Sequence, residues 1–163
     1  MKRMLLAVVT LLAASSAWAD GNENIAPSVS NKNWKTECSA CHMAYPPSLL
    51  PERSWRKMML GLERHFGQDA SLDAATAKEI TDFLVNNSAD RVSGKRASKV
   101  MRSLGSTETP LRISETAWFV RKHDEVSAQV WKRPKVGSAA NCTACHPGAE
   151  RGDYSEHQVR IPS

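Results

Sequence analysis

The chain has 163 residues, 41% hydrophobic and 24% charged, an ordinary soluble composition that allows one domain or two small ones. Its formal charge of +5 is too mild to argue for nucleic acid, which calls for a clustered basic face. Two half-size domains would each be marginal without added core volume.

Met1-Lys2-Arg3 is a short basic start, Met4 to Ser16 an apolar run, and Ala17-Trp18-Ala19 a small-x-small cleavage signal. This reads as a secretory leader, residues 1–19, with Asp20 as the new N-terminus. The run is shorter than the roughly 20 apolar residues a bilayer span needs, so the mature chain is expected in the periplasm with no membrane span. Losing Lys2 and Arg3 leaves 20 basic against 17 acidic residues.

Asp20 to about Ser30 is polar. Asn31 to His42 is predicted helical, and Pro46-Pro47 stops it. From Ser54, the apolar residues Trp55, Met58, Met59, Leu62 and Phe66 fit one face of a helix that Gly67 would end. Ser71 is the predicted N-cap of a further helix facing inward with Thr76, Ile80, Phe83, Leu84 and Asn87 and ending at Asn86-Asn87-Ser88. Val92 to Thr109 is linker-like, with a short helix around Ala97 to Leu104. Pro110 to Ser114 reads as extended, Glu115 to Trp131 is too irregular to assign, and Pro134 and Pro147-Gly148 are breaks. The expected domains are residues 20–93 and 94–163. The first carries 8 basic and 10 acidic residues and the second 12 and 7. The second half could therefore steer an acidic partner, against the plainer reading of a solvated surface.

The four cysteines form two C-x-x-C pairs, each followed at once by histidine: Cys38, Cys41, His42 and Cys142, Cys145, His146. This is the pattern of c-type haem attachment. On one helical turn residues three apart share a face, so two thiols can reach the two vinyl groups while the next residue projects under the ring toward iron. Three other readings compete. A four-cysteine zinc site usually has its pairs about 15–20 residues apart, whereas here roughly a hundred intervene, and zinc leaves the paired histidines unexplained. Thioredoxin-like chemistry wants a βαβ setting that is absent here. Simple disulfides are permitted by export.

Each iron could take a second protein ligand. For the first, His65 borders the apolar stripe of Met58 and Leu62, with Met58 or Met59 as alternatives; Met43 and Met101 are further methionines. For the second, His123 and His157 compete. His123 follows the aromatic stretch Trp118-Phe119 and is remote in sequence from His146, while His157 lies in a polar run. Closed irons would move electrons without bond chemistry, so no enzymatic activity is expected. An open iron would instead make the chain a peroxidase-like dihaem enzyme or a sensor of NO or CO.

The paired motifs, together with Leu62-Glu63-Arg64-His65-Phe66-Gly67, Pro110-Leu111-Arg112-Ile113-Ser114-Glu115-Thr116, Trp118-Phe119-Val120-Arg121-Lys122-His123 and Val159-Arg160-Ile161-Pro162, resemble the small periplasmic dihaem cytochromes c. The resemblance covers nearly the whole mature chain. It implies a mainly α fold, with an N-terminal domain like a class I cytochrome c and a small, loop-rich C-terminal haem domain. It implies two covalent haems c with histidine pairs His42 with His65 and His146 with His123. It also implies a role as electron donor to other haem proteins, including small oxygen-binding c-type cytochromes; the partners expected are redox proteins, a c-type haem protein as acceptor and a membrane cytochrome as donor. His157 is a departure that leaves the second pair open.

Overall fold

A computed structural model describes residues 29–163, so the expected leader lies outside the described residues. Six helices follow in chain order: α1 Lys32–Cys38, α2 Glu52–Met59, α3 Ala74–Asn86, α4 Lys95–Arg102, α5 Ala117–Lys122 and α6 Ala128–Trp131. Six short 3-10 turns connect or follow them, and among the described residues no strand forms beyond one isolated bridge, His65 to Gln68.

Capping explains where the first helices start. Asn31 caps α1 by accepting from the Trp34 N–H at 2.8 Å, and its amide donates to Glu79 of α3 at 2.7 Å. Asp73, rather than the predicted Ser71, caps α3, accepting from Ala75 and Thr76 N–H at 3.0 Å; Ser71 instead lies in an Asx turn, its N–H donating to Asp69 at 2.9 Å. Because Asn31 serves both α1 and α3, Asn31→Ala should lower stability by about 1 kcal/mol, the usual worth of an N-cap. Asn31→Ser should recover most of it, as read from denaturant midpoints.

Two further expectations are corrected. The helix predicted from Ser54 to Phe66 stops at Met59: Leu60 caps it, 84% exposed, and Gly61 turns the chain into the 3-10 turn Leu62–Arg64. Periodicity continued across this break because 3-10 and α turns place apolar residues similarly over one turn. Ile113 and Ser114 belong to a 3-10 turn, Ile113–Glu115, instead of extended chain. The unassigned stretch Glu115 to Trp131 contains α5 and α6, with Thr116 capping α5 through the Phe119 N–H at 3.2 Å.

Two apolar clusters hold these elements. Trp34, Leu50, Trp55, Ile80 and Leu84 form one, packing α1, α2 and α3 together, with the rings of Trp34 and Phe83 5.0 Å apart. The buried Trp55 indole N–H donates to Pro47 O at 2.7 Å, so this large side chain is buried without an orphaned donor. The other cluster comprises Leu49, Ala89, Ala97, Val100, Trp118 and Phe119. It draws Leu49 and Ala89 from before residue 94, and Ile113 packs against both clusters. Arg53 of α2 also reaches across, donating to Glu108 O at 2.6 Å and Gly105 O at 3.0 Å. The segments before and after residue 94 are thereby packed against one another.

Candidate haem sites

The first motif begins on a helix and finishes off it. Cys38 is the last residue of α1, while Cys41 and His42 lie in the turn beyond, because Ser39 already closes the helix through its N–H to Lys35 O at 3.1 Å. The second motif sits on a tighter turn: Cys142–Ala144 is 3-10, and the His146 N–H donates to Cys142 O at 2.8 Å. A regular α-turn under both motifs, as the spacing predicted, is therefore replaced by helix-end and 3-10 geometry. The chain returns to clamp the second motif, with Arg160 N–H donating to Cys145 O at 2.9 Å.

Opposite each motif histidine stands another imidazole. The rings of His42 and His65 lie 6.0 Å apart, centroid to centroid, and those of His146 and His123 6.1 Å apart. Two metal–imidazole bonds of about 2 Å each, plus the depth of the two rings, occupy roughly that length. His65 does not ride on the stripe of α2 predicted for it. It follows the turn after α2, presented by Phe66 at φ 51° and Gly67 at φ 94°. A left-handed phenylalanine is costly; here its ring meets the Arg112 guanidinium at 3.9 Å and the His65 ring at 4.8 Å.

His123 caps the end of α5, its ring stacked on Phe119 at 4.0 Å with Trp131 at 5.9 Å. His157 lies exposed on the 3-10 turn Glu156–Gln158. Met58 and Met59 pack against the α1–α3 cluster and Met101 against the other.

Second-sphere bonds set which nitrogen is free. The His123 Nδ1–H donates to Phe119 O at 2.9 Å and the His42 Nδ1–H to Met43 O at 2.8 Å, which leaves Nε2 of each ring as the lone-pair donor. Burial holds His65, His123 and His146 below the ordinary histidine pKa, and the Arg112 guanidinium beside His65 and the Arg96 guanidinium beside His146 push the same way. All three are thus biased toward the neutral form, the one that binds metal.

Cys38, Cys142 and Cys145 are not built for thiolate chemistry. All four cysteines are unpaired, burial pushes Cys38 and Cys142 up to about 11, and burial also raises Cys145. A redox dithiol needs the opposite shift. Among the described residues no group of three or more His, Cys, Asp or Glu side chains is arranged to hold a metal ion alone. The donors present, two facing imidazoles beside each thiol pair, fit haem.

A family model described as dihaem cytochrome c matches residues 34–154, a span that includes both motifs and all four facing histidines. The chain belongs to the dihaem cytochrome c family. It is 54% identical to a dihaem cytochrome c from Rhodobacter sphaeroides, with TM-score 0.70 over 77% of this chain and 98% of that one. A second structure, of DHC purified from Rhodobacter sphaeroides, is 50% identical with TM-score 0.63 over the same shares. A dihaem cytochrome c from Shewanella baltica OS155 is 38% identical, with TM-score 0.67 over 82% of this chain and 94% of that one. A search of the curated proteins gives no match. Membership implies two haem groups, held covalently as in c-type cytochromes, and the mainly helical, strandless fold of the described residues agrees with these relatives.

Three features of this dihaem cytochrome escaped the sequence. Tyr45 stacks on His42 at 4.8 Å and donates to Ala140 O at 2.7 Å, linking the first motif to the approach to the second. The carbonyl partner of His123 is invisible in any residue pattern. Tyr154 lies with its ring 5.3 Å from His146. Only an aromatic three residues after the first motif histidine hinted at Tyr45.

Proposed function

We propose that this dihaem cytochrome is a periplasmic one-electron carrier in which His42 with His65, and His146 with His123, close both faces of the two irons. The facing imidazole pairs at 6.0 and 6.1 Å carry this reading. The haems, when bound, supply the one-electron iron couple. Cys38 and Cys41 tether the first haem and Cys142 and Cys145 the second. Phe119 O and Met43 O fix the tautomers of His123 and His42, so that each ring presents Nε2. Paired histidines leave no position for a substrate, and so no enzymatic activity; without a methionine ligand the potentials are low. Among the described residues, 29–93 would make up the class I-like haem domain, with α1 packed on α3 beside the first motif, and 94–163 the second.

Export follows from the leader, since covalent attachment and a periplasmic address go together. The partners are other redox proteins: a membrane cytochrome as donor and a c-type haem protein as acceptor. A cleft of about 380 Å³ lined by Lys99, Arg102, Trp118, Arg121 and Lys122 supports an acidic face on one of them. It lies on α4 and α5, and α5 ends at His123.

Stopped-flow oxidation of the reduced protein by a dianionic quinone disulfonate tests this. The rate should fall as salt rises, and Arg102→Glu with Arg121→Glu should slow it about tenfold at low salt, within the range that electrostatic steering supplies. A rate indifferent to both would remove the acidic partner, and failure to pass electrons at all would remove the carrier role.

A further inference from the structure

Among the candidate ligands, His146 is set apart by what its outer nitrogen meets. His42 and His123 each spend Nδ1–H on a backbone carbonyl. His146 Nδ1 is buried with no hydrogen-bond partner among the described residues, and so is the Tyr154 hydroxyl. The two rings are neighbours, 5.3 Å apart and inclined at 53°. Buried polar groups left unpaired are costly, and here two complementary ones belong to neighbouring rings. An imidazole that gives Nε2 to iron carries its proton on Nδ1 and needs an acceptor, and a phenol oxygen is one.

The backbone is built to bring Tyr154 there. After the motif the chain turns back at Gly148, whose carbonyl accepts from Asp153 N–H at 3.0 Å. A Cβ at Gly148 would sit 2.8 Å from Asp153 Cβ and 3.0 Å from its carbonyl oxygen, so only glycine allows this close approach. Tyr154 then packs against the cluster of Val100, Trp118 and Phe119. Asp153, beside it, uses Oδ1 on the Ser155 N–H at 3.0 Å.

We propose that the Tyr154 hydroxyl is the hydrogen-bond acceptor of His146 Nδ1–H in the haem-loaded protein, directly or through one buried water, and that it is the positioning residue of the C-terminal haem. This rests on His146 as an iron ligand. Accepting that proton makes the imidazole a stronger donor and favours the oxidised iron. Loss of the hydroxyl should therefore make one haem easier to reduce and leave the other as it was.

The variant is Tyr154→Phe, which keeps the ring and its packing. Potentiometric titration of the holoprotein should move one of the two midpoints upward by three- to tenfold in the reduction equilibrium, tenfold being about 59 mV for one electron. In the reduced wild-type protein, nitrogen-edited NMR should place the His146 Nδ1–H in slow exchange and close to the Tyr154 ring. Unmoved midpoints in a variant that retains both haems, or a fast-exchanging Nδ1–H, would overturn the proposal. The ferric EPR of the wild type separates the two levels of inference. Two low-spin bis-imidazole signals with unmoved midpoints defeat Tyr154 alone, whereas absence of those signals defeats the ligand assignment beneath it.

Discussion

Replacing His123 with alanine should open one of the two irons to carbon monoxide while the other stays closed. The His123 ring is held from two sides, stacked on Phe119 at 4.0 Å and bonded through Nδ1 to Phe119 O at 2.9 Å, and it faces His146 at 6.1 Å. Alanine removes the donor nitrogen and leaves a space about the size of the ring. His157 cannot stand in without rebuilding the tail, because it lies exposed on its own turn and Arg160 N–H is bonded to Cys145 O. The reduced variant should bind one CO per chain against none for the unaltered protein, seen as a shift in about half of the Soret intensity. His157→Ala should behave as wild type. If His157→Ala opens an iron and His123→Ala does not, the second ligand has been assigned to the wrong histidine.

The double substitution Cys142→Ala with Cys145→Ala should remove one haem and with it the order of the second half. Beyond α5 that half has little of its own to hold it. Its last two helices span only Ala117–Lys122 and Ala128–Trp131, after which only 3-10 turns follow. Helices so far below about 12–15 residues do not stand without packing. Beyond α6 the buried apolar residues are Val136 and Ala149. The bound haem therefore supplies core volume and stabilises by mass action any state that holds it. Haem content should fall to one per chain. Amide exchange protection across residues 128–160 should drop by about a hundredfold, equivalent to about 2.7 kcal/mol. Native-like protection there would mean that the polypeptide folds this region unaided.

What could be read from the chain in advance follows a physical boundary. Local patterns carried far. The spacing of Cys38, Cys41 and His42, repeated at Cys142, marks the attachment chemistry, and the period of Ile80 and Leu84 marks the buried face of α3, to which Val85 adds. Local rules failed where two of them competed. Ser71 suits a cap by residue type, but Asp73 takes the position with two backbone bonds. Gly61 broke a stripe that composition alone would have continued through Phe66. The placement of His65 was legible as a residue and hidden as a geometry, because a loop with Phe66 at φ 51° has no periodicity to read. Contacts far apart in sequence were hidden altogether. Tyr45 and Ala140 meet across 95 positions, and nothing in either segment announces the other.

Absorption spectra of the reduced protein before and after CO test most directly the claim that both irons are closed. Bands unchanged by CO, with two haems per chain, are the predicted result. A CO-shifted component in the unaltered protein would contradict it: at least one iron would be open or weakly held, and the peroxidase-like or gas-sensing readings would take the place of electron transfer.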